Sequence, residues 1–133
     1  MAESTKHSAL VHTIIKYIGR EHTQCGILHD LSSAIGAEKP SRIDGFVPDV
    51  YAFDAPLTTV IIGEAKTQKD LETERSRKQM TAFLSFLGLQ GTGIFILAVP
   101  WHLKRSAAVI VEKIRRETGA TSVKTVMLDD IGL

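Results

Sequence analysis

The sequence predicts an α/β fold in which a mixed β-sheet is flanked by helices on both faces. Segments 47–53 and 58–65 are rich in β-branched and aromatic residues, and the break between them at 54–57 contains Asp and Pro, which favour turns. This pattern predicts an antiparallel hairpin. Segments 58–65, 70–87 and 94–99 have the patterns of a strand, a helix and a strand, which implies parallel pairing through a right-handed crossover. Both kinds of pairing in one sheet, with helices between strands, indicate the α/β class.

Three helices are predicted from apolar residues at helical spacing. The first covers residues 8–19, and Gly19 is expected to end it. The second lies within 70–87, and the third runs from Leu103 until Gly119 closes it. The apolar stripe of the second helix is formed by Met80, Phe83, Leu84 and Leu87.

Three strands complete the predicted sheet. Residues 26–31 are assigned as a first strand and residues 123–128 as a short final one. The run 94–99 is continuously apolar between Gly93 and Pro100, as expected of a strand that is buried on both faces.

The composition limits the classes of function. A chain of 133 residues is expected to form a single domain, residues 1–133. The net charge of +1 gives no global attraction to nucleic acid, so any basic surface must be local. One cysteine, Cys25, excludes an internal disulfide and a cysteine-based zinc site. No apolar run reaches the length of a membrane span, and the N-terminal residues lack a signal-peptide pattern, so a cytoplasmic protein is expected.

The open end of the predicted hairpin carries three charged residues. With the turn at 54–57, Glu64 lies opposite Val47, two residues from Asp49 on the same strand. Asp49, Glu64 and Lys66 then project from one face, with the two carboxylates in diagonal positions about 7–8 Å apart at Cα. A one-residue change of register would put Asp49 on the other face, so this placement depends on the turn.

Two carboxylates and a lysine at a strand end are suited to metal-assisted hydrolysis of a phosphodiester. Asp49 and Glu64 are expected to bind Mg²⁺ or Mn²⁺, and the carbonyl of Ala65 offers a further oxygen ligand. Lys66 would orient the attacking water or stabilise charge that develops on phosphorus. The alternative is that these charges are merely exposed at a sheet edge.

The segments Pro48-Asp49 and Gly63-Glu64-Ala65-Lys66 resemble the PD-(D/E)xK, or restriction-endonuclease-like, nuclease superfamily. The order of predicted elements matches the common core of that superfamily over most of residues 8–99. The resemblance implies that Asp49 and Glu64 bind the metal and that Lys66 assists the water. It also implies a polar catalytic residue on the following helix. Gln79 fits this position, although it could equally be an ordinary surface residue.

The chain departs from one pattern of the superfamily. Small Holliday-junction resolvases and virus-type replication-repair nucleases usually carry a glutamate within the first helix, and residues 8–18 contain none. Glu21, just after that segment, is a candidate for an extra metal ligand or a solvated residue at the helix end. The sequence therefore does not decide whether a second metal ion binds.

A basic cluster follows the predicted site. Its side chains either bind DNA phosphates or form a solvated face with acidic neighbours. The cluster consists of Lys69, Arg75, Arg77 and Lys78. Trp101 is either a packing anchor or a surface on which a base stacks.

Together these observations and the resemblance imply a Mg²⁺- or Mn²⁺-dependent endonuclease that cuts DNA in repair, recombination or defence. The resemblance also implies a homodimer. The alternatives are a non-catalytic subunit of nuclease fold that binds DNA or a partner protein, and a nuclease that cuts only within a larger complex.

Overall fold

A computed structural model describes residues 5–30 and 39–131, and within these ranges it contains three α-helices, five strands and one short 3₁₀ turn. The helices are α1 (Thr5–Glu21), α2 (Glu74–Leu87) and α3 (Lys104–Glu117), and the 3₁₀ turn is Trp101–Leu103. The strands are β1 (Gly26–His29), β2 (Val50–Phe53), β3 (Thr59–Ala65), β4 (Thr92–Val99) and β5 (Lys124–Asp129). No helix in these ranges is long and apolar enough to cross a membrane.

The five strands form one mixed sheet in the order β1-β2-β3-β4-β5. The pairs β1–β2 and β2–β3 are antiparallel, whereas β3–β4 and β4–β5 are parallel. Each parallel connection passes through a helix, α2 in the first case and α3 in the second. The predicted fold class is therefore confirmed.

Helices cover both faces of the sheet. On one face, Ile14 and Ile18 of α1 pack in the same apolar cluster as Ile61 of β3. On the other face, α2 and α3 contribute Phe83 and other side chains to a second cluster that contains Ile62. Adjacent residues of β3 thus lie in different cores, because successive side chains of a strand point to opposite faces.

Gly63 allows α1 to lie close to the sheet beside the predicted site. A Cβ atom at this position would stand 2.6 Å from Cγ2 of Ile14. Real Cβ atoms essentially never come this close to another carbon, so a larger residue at position 63 would displace Ile14 of the helix.

The hairpin register differs from the prediction by two residues. Phe53 lies opposite Val60, and the loop is closed by the N–H of Asp54, which donates to the carbonyl of Thr59 at 3.3 Å. The Asp54 carboxylate accepts bonds from the backbone N–H groups of Thr58 (2.8 Å) and Thr59 (3.1 Å), and these bonds stabilise a longer loop than the predicted four-residue turn. A shift of two residues leaves every side chain on its predicted face.

Several element boundaries also differ from the predictions. The first helix runs through Gly19 to Glu21, and α2 begins at Glu74 because the side chain of Thr73 caps it by accepting a bond from the Ser76 N–H. The first strand ends at His29, and residue 31 of the predicted strand lies outside the described residues.

Candidate active site

The predicted site residues meet at one edge of the sheet. Asp49 immediately precedes β2, Glu64 is the penultimate residue of β3, and Lys66 directly follows β3. Because β2 is antiparallel to β3, its beginning lies beside the carboxyl end of β3. Ligand sites of open α/β sheets form at such carboxyl ends.

The register places Asp49 directly opposite Glu64, one pair beyond Val50 and Gly63. The pair occupies a position without mutual backbone hydrogen bonds, where side chains stand closest together. The N–H of Asp49 donates instead to Oε1 of Glu64 at 2.8 Å, and the N–H of Ala65 donates to Oδ2 of Asp49 at 2.9 Å. Each carboxylate is therefore fixed by the backbone of the neighbouring strand.

The same register explains the proline before Asp49. The Lys66 N–H donates to the carbonyl of Ala98 at 3.0 Å, so the N–H and carbonyl of Ala65 face β2 rather than β4. The residue opposite Ala65 in the extended register is Pro48, which has no N–H. The Ala65 carbonyl thus receives no ladder bond from that strand, and its oxygen lies at the same edge as the two carboxylates.

Lys66 is held by two side chains. Its side chain is 9% exposed, Nζ donates a hydrogen bond to Oε1 of Gln79, and Nζ lies 3.4 Å from Oε2 of Glu64. Gln79 is on α2, one turn before the fully buried Phe83, so helix packing fixes its direction. The structure therefore brings Gln79 to the predicted site.

Burial sets the electrostatics of the pair. Glu64 is 3% exposed, and this desolvation, together with the negative charge of Asp49, raises the pKa of Glu64 to about 8. The positive charge of Lys66 and the Asp49 N–H act in the opposite direction. With all three groups ionised, the cluster carries one more negative than positive charge, so a proton or a cation is needed to compensate it.

The donor set fits a hard divalent cation. Asp49, Glu64 and the Ala65 carbonyl are oxygen donors at one edge, and Mg²⁺ commonly takes one or two carboxylates and keeps several waters. Among residues 5–30 and 39–131, no group of three or more His, Cys, Asp and Glu side chains is arranged to hold a metal. A cation at this edge would therefore rely on the carboxylate pair, the carbonyl and water.

His7 is a site neighbour that the sequence reasoning missed. Its Nε2 lies 3.3 Å from Oδ2 of Asp49, at the N-terminal end of α1. The signal was present in the sequence, because His7 precedes Val11 by four residues and Ile14 by seven. It therefore continues the buried stripe of the helix toward the sheet edge.

Glu21 lies elsewhere. It is at the opposite end of α1 from His7, about 21 Å away at 1.5 Å per residue. Its carboxylate is exposed and contacts Nε of Arg20 at 2.9 Å. The structure does not bring Glu21 to the carboxylate pair.

The basic cluster divides into separate surfaces. Arg75 lies over the ring of Phe46 at 5.5 Å. Arg77 and Lys78 line a groove of about 800 Å³ on α2 whose lining includes neither carboxylate of the pair. Lys69 lines a different cavity, of about 370 Å³, in the loop after Lys66. All four basic side chains are exposed. The four basic side chains therefore do not form one continuous cluster around a single cavity.

No protein-family model matches the chain, and no curated protein matches it. Among solved structures, the chain is similar to Pyrococcus furiosus SfsA in complex with Ca²⁺, with 11% identity and a TM-score of 0.55 over 92% of this chain. The chain spans only 57% of that neighbour. It is also similar to a chain of the CdiA-CT/CdiI toxin and immunity complex from Yersinia pseudotuberculosis, with 12% identity, a TM-score of 0.48, and coverage of 86% of this chain and 96% of that one. The first likeness supports the α/β fold of this chain.

Proposed function

We propose that this chain is an endonuclease that hydrolyses phosphodiester bonds of DNA with Mg²⁺ or Mn²⁺. The observation that carries the proposal is the cluster of the partly exposed Asp49 with the buried Glu64 and Lys66. Burying charged groups is costly, and a buried ion pair is a weak device for stability alone. A chemical role accounts for two carboxylates and an ammonium group held together at a sheet edge.

Each residue has a defined role in this proposal. Asp49, Glu64 and the Ala65 carbonyl would hold the cation, which when bound neutralises phosphoryl charge and acidifies a bound water. Lys66 donates to the attacking water or to the phosphoryl oxygen on which charge develops. Gln79 accepts a hydrogen bond from Nζ of Lys66 and so holds the ammonium group beside the carboxylate of Glu64. The SfsA neighbour was solved with Ca²⁺, so a protein of this fold does bind a divalent cation.

Substrate binding is assigned to the exposed basic side chains. We propose that Arg75, Arg77 and Lys78 contact phosphates of a DNA duplex beside the site. Because each lost phosphate contact lowers the slope of log K against log salt by about 0.9, replacing two of these residues with Gln tests the assignment. The homodimer implied by the resemblance belongs to the proposal as well. Light scattering tests it, because a homodimer has twice the mass of the monomer.

A panel of DNA substrates tests the enzymatic activity. Supercoiled, linear, single-stranded, flapped and four-way-junction DNA are incubated with Mg²⁺, Mn²⁺ or EDTA. The wild-type protein should cut at least one of them with either metal and none in EDTA. Asp49→Asn, purified in the same way, should cut none, which excludes a contaminating nuclease.

The second candidate is a non-catalytic subunit of nuclease fold. The groove on α2 favours this candidate. Phe46, Phe86 and Leu89 contribute apolar surface to the groove, and neither Asp49 nor Glu64 lines it. Absence of cleavage by the wild-type protein across the whole panel would favour this candidate over the enzyme.

A further inference from the structure

A second cavity lies next to the carboxylate edge. In the parallel pair of β3 and β4, Ala65 lies beside Ala98, so the segments that follow the two strands run side by side. Between them is a cavity of about 370 Å³, which Thr67 lines directly after Lys66. The polar and aromatic residues that also line the cavity are Lys6, Gln68, Lys69, Trp101, His102 and Asp130.

Trp101 lines this cavity, and its indole ring is exposed to solvent. It is 61% exposed, although tryptophan has more apolar surface to bury than other side chains. The backbone N–H of Trp101 donates to Oδ1 of Asp130 at 2.8 Å. The indole ring stands edge-on to the ring of His102, with centroids 5.7 Å apart and an interplanar angle of 77°. His102 in turn lies 3.3 Å from Oε1 of Gln68. The 3₁₀ turn is therefore fixed while the indole face stays accessible, which reduces the entropic cost of stacking on it.

The charges around the ring suit a polyanion. Lys6 and Lys69 are exposed lysines that line the cavity. Asp130 is the one carboxylate in the lining, and its Oδ1 is engaged by the backbone of Trp101. An aromatic face flanked by cations is the arrangement with which proteins bind single-stranded nucleic acids.

We propose that Trp101 stacks on an unpaired nucleobase next to the scissile phosphodiester, while Lys6 and Lys69 contact the flanking phosphates. This inference rests on the proposed nuclease function and names its substrate class, which is DNA with a single-stranded segment at the site of cleavage. In a continuous duplex each base is already stacked on both sides, so its face is not available to the indole.

Binding in EDTA tests the subsite without any cleavage. Fluorescence anisotropy is measured with a labelled oligo(dT) strand and with a labelled blunt-ended duplex of equal length. Loss of one base-stacking contact corresponds to about 1–3 kcal/mol, so Trp101→Ala should bind the single strand about 5- to 150-fold more weakly. Its affinity for the duplex should not change, and Trp101→Phe should retain most of the single-strand affinity. Val109→Ala, which alters an exposed apolar residue on α3, should bind both ligands as the wild type does.

Two further readouts separate stacking from charge. The chain has one tryptophan, so its fluorescence reports this site alone, and the single strand should quench it more than the duplex. Lys69→Gln should lower the salt slope of single-strand binding by about 0.7, whereas Trp101→Ala should leave that slope unchanged.

The subsite is refuted if Trp101→Ala binds the single strand as tightly as the wild type does, or loses single-strand and duplex binding by the same factor. These outcomes are independent of the nuclease proposal, because they are read without metal. A protein that cuts no DNA but meets the binding expectations would overturn the nuclease function and leave the stacking site standing.

Discussion

The raised pKa of Glu64 predicts that metal binding releases a proton. In the metal-free protein, burial and the charge of Asp49 raise this pKa to about 8, so at pH 7 the carboxyl group is mostly protonated. A cation can bind only to the ionised form, and its arrival must therefore displace the proton. Metal affinity should accordingly fall as the pH is lowered below 8.

The size of the effect follows from that pKa. The protonated fraction, and hence the number of protons released, should be about 0.9 at pH 7, about 0.5 at pH 8 and about 0.1 at pH 9. If Glu64 alone titrates in this range, affinity for Mn²⁺ should be about 50-fold weaker at pH 6 than at pH 8. An unperturbed glutamate would release almost no proton at any of these values.

Calorimetry with Mn²⁺ in two buffers of different ionisation enthalpy measures the proton release directly. His7 is in contact with Asp49, so the titration is repeated with His7→Gln, which should keep the proton release from Glu64. Proton release near zero at pH 7, or release that rises between pH 7 and pH 9, would refute the assignment of Glu64 as a buried metal ligand.

Three further expectations use the same protein preparations. Asp49→Asn should abolish Mn²⁺ binding in calorimetry. Asp44→Asn is the control and should bind Mn²⁺ as the wild type does, because Asp44 lies in an exposed turn where asparagine tolerates the positive φ of 51°. Equal loss of Mn²⁺ binding in both variants would contradict the site. His7→Gln should weaken Mn²⁺ about 10-fold through loss of its contact with Asp49, and the exposed His12→Gln should have no effect. Without metal, the free energy of unfolding should fall by about 3 kcal/mol more in the wild type than in Glu64→Gln between pH 6 and pH 9. The folded state holds a proton on Glu64 that the unfolded state has already lost, and this stabilisation disappears as the pH passes 8. Parallel pH dependence of the two proteins in denaturant titrations would contradict it.

The sequence predicted the faces of the hairpin but not its register. Because successive side chains of a strand point to opposite faces, Asp49 stays on the face of Glu64 and Lys66 under any even shift of the two strands. The register itself depends on the loop, where the Asp54 carboxylate binds two backbone N–H groups beyond the assumed turn. Propensities at Asp and Pro signal a turn, but they do not give the length of a loop that a buried side chain organises.

Contacts between distant elements explain the other differences. His7 reaches Asp49 only because α1 crosses the sheet closely at Gly63, and neither strand patterns nor helix spacing specify that crossing. The basic side chains looked like one group in the sequence, yet Lys69 lies in the loop before α2 and lines the same cavity as Trp101. Gln79 accepts a hydrogen bond from Lys66, and the catalytic role of Gln79 stays a prediction.

The role proposed for Lys66 is to stabilise the transition state rather than to bind substrate. It is tested by measuring single-turnover cleavage and DNA affinity at one salt concentration for the wild type and for Lys66→Met, a change that keeps the buried volume. Lys124→Met, at the opposite end of the parallel strands, is the matched control. Cleavage by Lys66→Met should fall by about 10²–10³, the usual effect of losing one preorganised donor, while DNA affinity falls by about one phosphate contact. Cleavage at the wild-type rate by Lys66→Met would show that this lysine is not part of the active site.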